Sequence, residues 1–377
     1  MSTGTKTDME KIAKFFLVFL VSAVLPFTPL SAQHDVGETG HVTESDEPFN
    51  AGKFVIEHVS DAHDWHIVSF GETTISIPLP VIVYSRNPDW HEGKCFHVFM
   101  SSRFHHGHAD YKGFRLSQSK ENEGKIVELD EAGNEAGIPF DISITRTVAG
   151  ILVSVIVLFW LIFTVVASAR RNRGKAPTGL QNLIEPVILF IRDEIARPAI
   201  GEKKSEKFMP FLLTLFFFIL INNFIGLIPI PPFGSNVTGN IAVTMVLAVF
   251  RFFVTTMNGN KHYWKEIYNP DVPWWLKFPL PLMPIVELSG VITKPFVLMV
   301  RLFANMMAGH MIIAVFVSLI FIFASLFGSG VGLAASPISV LFSVFILLLD
   351  VLVSFIQAYV FTLLSALYFG MATAEHH

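Results

Sequence analysis

A single cysteine, Cys95, stands in 377 residues, so no disulfide within the chain can staple the fold. Charge is scarce too. Asp, Glu, Lys and Arg make up 15% of the residues and nearly cancel, at a formal −4, which leaves no electrostatic case for a nucleic-acid partner. Also missing are a GxxxxGK[ST] phosphate loop, a glycine-rich dinucleotide fingerprint, a GxSxG nucleophile turn and an HExxH metal helix. No cofactor is expected, and no bond chemistry. The chain has no inverted repeat, which argues against a secondary transporter.

What the chain has is apolar length. With 52% hydrophobic residues, 37 phenylalanines and a mean hydropathy of +0.53, it is too apolar for a soluble domain. Residues 1–32 place Lys6, Lys11 and Lys14 before an apolar run that ends in Ser31-Ala32-Gln33, the pattern of a secretory signal peptide. Residues 33–141 differ from everything after them. Short β-like runs (54–59, 66–70, 73–77, 81–84 and 96–100) alternate with Gly, Pro and Asn turns, predicting a small exported β-rich domain. It holds ten of the 14 histidines. His105, His106 and His108 stand close together, but their spacing matches no specific metal site, and no metal site is assigned. A membrane-anchored, histidine-rich metal receptor is the alternative this segment suggests.

Residues 142–377 read as a membrane domain. A first span is expected at 143–169, followed by Arg170, Arg171, Arg173 and Lys175 and later by Arg192, Arg197, Lys203, Lys204 and Lys207. The gap 229–239 has no Lys or Arg. By the positive-inside rule the basic stretch is cytoplasmic and the preceding domain lies outside. Leu180, Leu183, Ile184, Val187, Ile188, Ile191 and Ile195 recur at helical spacing, predicting an amphipathic helix on the inner surface. Spans follow at 208–228, with Asn222 and Asn223 near the outer end, and at 241–257, with Asn240 at the mouth and Thr244 one turn on. Two long apolar segments, about 278–327 and 333–371, then meet at Gly328-Ser329-Gly330. At ~75 Å if helical, the first either folds into two spans or lies strongly tilted. The fold class is a polytopic, mainly α-helical membrane protein of five to six membrane helices, including this long tilted hairpin, with a small β-rich extramembrane domain. The C-terminus falls on the cytoplasmic side or at the membrane surface.

The stretch 294–311, KPFVLMVRLFANMMAGHM, carries the chemistry. It puts Arg301 in the middle of an apolar run, where a cation costs ~2.5–3.5 kcal/mol on insertion scales and therefore marks a functional site. At about 100° per residue, Glu287, Lys294, Arg301 and Asn305 share a narrow arc, with Pro295 a candidate kink. His310 falls on the opposite face. In the last segment Asp350, Ser354 and Gln357 make one polar stripe, and polar groups in lipid need partners. A hairpin turned at 328–330 would set that stripe against the His310 face.

From about residue 143 onward, these motifs resemble the subunit a family of the F-type ATP synthase. The carrying features are the 294–311 stretch, with Arg301, Asn305 and Gly309, and SFIQAYVFTLLSALYFGMATAEHH, with Gln357. NNFIGLIPIPP, with Asn223, and the Asn240–Thr244 segment support them. Residues 33–141 lie outside the core pattern and resemble an extension found in some bacterial members, which implies a bacterial inner membrane with this domain in the periplasm. The resemblance implies a non-catalytic proton-channel subunit that faces a ring of small hairpin c-type subunits. Further implied partners are peripheral-stalk b-type subunits, the rest of the complex and the lipid bilayer. It also implies roles: Arg301 as the family's essential arginine, with Gln357 and Asn305 beside it, and a proton path through Glu287, His310, Asp350, Asn240 and Asn223. His310 and Asp350 stand where many bacterial members carry glutamate and histidine, an exchange of types that still leaves an imidazole–carboxylate pair.

Overall fold

The computed structural model describes residues 61–70, 73–85, 93–107, 109–117, 119, 122, 124–130, 133–228, 234–268 and 282–374. The expected signal peptide, the run at 54–59, His108 and the prolines at 229–232 lie outside the described residues, as do the side chains of His66, His105 and His106.

The extension is β-rich, as its alternating runs require. Its strands are β1 (Asp64–Phe70), β2 (Thr73–Pro78), β3 (Pro80–Tyr84), β4 (Phe96–Met100), β5 (Phe114–Leu116), β6 (Ile126–Leu129), β7 (Glu135–Gly137) and β8 (Phe140–Asp141). β1 pairs with β2, β3 lies between β4 and β8, and β6 lies between β5 and β7, all antiparallel. The period-2 alternation decides which face is buried. Val81 and Val83 point inward with His97 and Phe99, while Tyr84, Phe96 and Val98 face out. Phe104, Phe114 and Ile126 complete this small core, with edge-on rings at 5.3 Å (Phe99–Phe104) and 5.0 Å (Phe99–Tyr111). β5 to β8 are two to four residues long, too short for alternation to reveal them.

The extension is bonded to the first membrane helix rather than tethered to it. Ile142 and Ile144 donate backbone N–H to Ile82 O and Pro80 O at 2.9 and 3.1 Å. The Asp61 carboxylate accepts from Thr147 N at 3.0 Å, and Arg146 N donates to Ala62 O at 2.9 Å. These bonds satisfy donors that a helix N-terminus leaves without intrahelical partners.

The membrane domain contains α1 (Arg146–Arg171), α2 (Leu180–Phe190), α3 (Glu202–Leu227), α4 (Ile241–Met257), α5 (Lys261–Tyr268), α6 (Leu282–Phe327) and α7 (Ser329–Thr373). Among the described residues four helices are long and apolar enough to cross a membrane, and α4 is a shorter apolar helix, giving five. α3 is the core element. Phe211, Leu212, Leu215 and the run Phe216 to Ile219 are all buried on it, while phenylalanines such as Phe163, Phe253, Phe321 and Phe345 stay exposed on the other membrane helices. Phe208 stacks on Phe369 of α7 with centroids 4.7 Å apart. At the same end the Lys204 ammonium donates to Thr373 O at 2.7 Å. The backbone of Gly370 presses on the Ala199 carbonyl so closely that no Cβ fits there.

The 180–195 stripe is helical throughout, but its winding changes: α2 passes into a π-helical stretch, Ile191–Ala196, and a short helix, Arg197–Ile200. Ile184, Ile191 and Ile195 are buried against the bundle, while Leu183 of the same stripe and Phe190 stay exposed. Of the two alternatives for 278–327 the structure takes the single long one: α6 is one 46-residue helix despite Pro295. α7 has 45 residues, and Gly328, at φ 91°, supplies the left-handed turn between them. At ~69 Å, α6 is more than twice a ~30 Å hydrocarbon core, so it cannot stand upright in a bilayer.

Just before β1, His63 reaches the end of β8, its Nε2 2.9 Å from Asp141 Oδ2. Burial alone would push the Asp141 carboxyl up, but the His63 bond and charge, with the Ser143 hydrogen bonds, outweigh it and hold the value below the usual 3.8. A depressed carboxyl stabilises the fold fully above about pH 4 and loses that contribution as acidification carries it through its lowered value. Asp141→Ala is expected to cost about 1–3 kcal/mol, read as faster amide exchange at Val81 and Val83 in the full chain at pH 7. Parental exchange rates would show that this contact contributes nothing.

Candidate functional site

α6 has one buried and one open face. Leu298, Met299, Leu302 and Met306 pack inward, whereas Val297, Arg301, Ala304, Ala308 and Met311 are exposed. Arg301 therefore sits on an apolar surface, and among the described residues no acidic group forms an ion pair with it. Asn305, one turn on, is half-buried.

α7 brings its polar stripe against α6 as the periodicity predicts. Gln357 is 8% exposed, and fully buried Ser354 points its hydroxyl at the Met306 sulfur, 4.0 Å away. The Asp350 carboxylate lies over the backbone of Gly309, where any Cβ would collide with both its oxygens. Gly309 is thus the residue that lets a carboxylate enter between the two helices.

His310 points elsewhere. Its Nε2 lies 3.5 Å from where a Cβ would stand on Gly226 of α3, and Ser235 O is 3.3 Å from the same point. No hydrogen bond or ion pair joins His310 to Asp350: the carboxylate packs on Gly309 and the imidazole on Gly226. Around His310 gathers a polar cluster at the end of the bundle that carries the extension. Asn223 and Gly226 share a face of α3. Asn223 Oδ1 accepts from Thr238 Oγ1 at 2.7 Å, and Asn222 Nδ2 donates to Phe218 O at 2.7 Å. Asn240 caps α4 by accepting from Ala242 N at 3.0 Å, with Thr244 fully buried beside it. Five atoms here are instructive for what they lack: Asn222 Oδ1, Asn223 Nδ2, Asn236 Nδ2, His310 Nε2 and Asp350 Oδ2 are buried with no protein partner. Buried polar atoms are normally satisfied, and a row of orphans in a polar crevice suits water.

Glu287 does not join that cluster. It is half-buried near the other end of α6, 23 residues from His310 on an unbroken helix, about 35 Å. The resemblance puts both on a proton path, and because α6 does not fold back they stand at separate places along it. Near Glu287 the structure assembles a second polar group that sequence reading missed. Arg251 of α4, 2% exposed, lies over the Tyr368 ring at 4.3 Å, and Lys294 Nζ lies over the same ring at 5.5 Å. Arg251 Nε and Nη1 have no hydrogen-bond partner. The signal was present: an arginine in an apolar 17-residue helix carries the same cost that singled out Arg301.

Among the described residues no three His, Cys, Asp or Glu side chains converge on a metal-sized site. The helix facing makes a direct test possible. With Cys95 replaced by serine, Met306→Cys paired with Ser354→Cys is expected to cross-link under mild oxidation, whereas Glu287→Cys paired with His310→Cys is not. Cross-linking of the second pair alone would overturn the continuous α6.

Residues 149–370 match the family model described as ATP synthase A chain, and residues 54–142 match a domain of unknown function. The chain is 43% identical over 243 residues to an ATP synthase subunit a of Chloroherpeton thalassium, covering 63% of this chain and 68% of that one. It is 38% identical over 286 residues to an ATP synthase subunit a 2 of Chlorobaculum tepidum, covering 71% and 78%. A Myxococcus xanthus ATP synthase subunit a is 38% identical over 244 residues, covering 63% and 75%. A bundle built around α3, a hairpin of helices 46 and 45 residues long with an arginine on its open face, and a family match across more than half the sequence together place this chain in the ATP synthase A chain family.

Proposed function

We propose that this chain is the proton-conducting stator of an F-type ATP synthase membrane sector, non-catalytic itself, with Arg301 facing a ring of c-type hairpin subunits. The observation that carries the reading is a guanidinium on an exposed apolar helix face. Arginine stays charged at physiological pH, and leaving that charge against lipid is costly. A neighbour with a mid-membrane carboxylate removes the cost, and a ring that presents one carboxylate after another lets it turn.

The two polar groups supply the two access paths. On the extension side, taken as periplasmic, Asn222, Asn223, Asn236, Asn240, His310 and Asp350 line a hydrated route to the ring. On the side of the basic loops, taken as cytoplasmic with the C-terminus, Glu287, Lys294, Arg251 and Tyr368 line the other. Arg301 lies between them, 9 residues from His310 and 14 from Glu287, about 14 and 21 Å along the helix. A proton loads a ring carboxylate from the first path. After the ring has turned, Arg301 draws the carboxylate toward its charged form, and the proton leaves by the second. Direct leakage past a fixed cation is opposed by like-charge repulsion. Each charge crossing 100 mV releases about 2.3 kcal/mol, so several are needed per ATP made in the soluble part of the complex. The bilayer, b-type stalk subunits and the remaining subunits complete the assembly.

Arg301→Ala is expected to abolish both ATP synthesis and ATP-driven proton pumping in membrane vesicles while the complex still assembles. Pumping at the parental rate would refute the proposal.

A further inference from the structure

The inner side of α4 buries Leu247, Ala248, Arg251 and Thr255, whereas Val249, Phe253 and Met257, four residues apart, are exposed. At 17 residues the helix is ~26 Å long, shorter than a ~30 Å hydrocarbon core. With Asn240 at the outer boundary, its Met257 end therefore stops at the inner boundary or just short of it. That sets α5, which begins four residues later, at the depth of the lipid headgroups.

The bundle holds α5 there. Asn260 donates its backbone N–H to Ala372 O at 2.9 Å and its side-chain amide to Thr373 O at 3.2 Å. The Tyr263 ring packs on Gly259 so closely that no Cβ fits, and Ile267 is buried. What α5 turns outward is one stripe. Lys261, Trp264, Lys265 and Tyr268 are all exposed, and their spacing puts them within an arc of about 100°. The Trp264 and Tyr268 rings stack with centroids 6.0 Å apart. Glu266 falls outside that arc by position, so the stripe is two lysines and two aromatics. A third ammonium, that of Lys207 on α3, is bonded to Asn258 Oδ1 at 2.9 Å, between α4 and α5.

The two exposed stripes belong to one surface. α4 and α5 both pack against the hairpin of α6 and α7, so both turn their open sides away from it. Trp and Tyr rings favour the boundary between hydrocarbon and headgroups. A lysine there keeps its stem among the chains and its ammonium among the phosphates. We propose that this surface docks an acidic phospholipid of the leaflet on the side of the basic loops, its chains along Phe253 and Met257 and its phosphate between Lys261 and Lys265. The surface needs neither a ring nor a proton path, so it goes beyond the stator reading and is tested apart from it.

The test uses the full chain in nanodiscs of phosphatidylcholine, with one lipid in ten carrying bromine in its acyl chains near the headgroup. The emission lost in Trp264→Phe is the share of Trp264, and bromine in contact quenches it. Each lysine beside an acidic headgroup favours it about five-fold, so two favour it about thirty-fold. Brominated phosphatidylglycerol at one in ten is then expected to quench about three-quarters of the Trp264 share, and brominated phosphatidylcholine about a tenth. Lys261→Gln with Lys265→Gln is expected to bring the two lipids level, and Lys261→Arg with Lys265→Arg to keep the preference. Equal quenching by both lipids in the parental chain would overturn the proposal, a comparison that requires no change at the lysines. Trp264 emission that stays unquenched with every lipid brominated would overturn it too, because protein would then cover the rings.

Discussion

A permanent positive charge on an apolar surface is the constraint on which this architecture turns. α6 buries Leu298, Leu302 and Met306 and leaves Arg301 outward, an arrangement that a chain living alone in lipid would not keep. The long hairpin makes sense in that light. Two helices of 46 and 45 residues are far longer than a crossing needs. Tilted, they present an extended open face, with polar clusters separated along it rather than stacked in one pore. α3, buried along most of its length, anchors that face from behind.

The separation matters because a proton path that ran straight through would dissipate the gradient. Along α6 the order is Glu287, Arg301, His310, with each interval longer than a hydrogen bond or a single side chain can span. The two polar groups are also chemically unlike. The one near the extension is made of amides, an imidazole and a carboxylate, several with buried atoms that lack protein partners. The one near the basic loops is made of two cations over a single tyrosine ring, with Glu287 nearby. An electropositive far end suits departure of a proton, and an amide-lined near end suits hydrated approach.

Much of this was legible in the sequence, and the failures have physical causes. Arg301 stood out because a charge within an apolar run is rare and costly. The Asp350, Ser354 and Gln357 stripe was readable from helical periodicity, and it does face α6. Its partner was misjudged: the direction of His310 depends on rotation about the helix axis and on Gly309 admitting the carboxylate, neither of which spacing encodes. Glu287 and His310 were named together on one proton path by the resemblance, which carries no distance; one continuous helix keeps them about 35 Å apart. Arg251 was passed over although the rule applied to Arg301 covers it. In the extension, β3 and β4 were visible through alternation, whereas β7 and β8, with three and two residues, offer no pattern to read.

The most direct test of the account is a density map of the assembled membrane sector at a resolution that fixes side chains. The account predicts the Arg301 guanidinium opposite a ring-subunit carboxylate, with no lipid between them and with His310 and Glu287 opening toward opposite sides of the membrane. A map with Arg301 directed into lipid headgroups, or with no ring against the open face of α6, would contradict it.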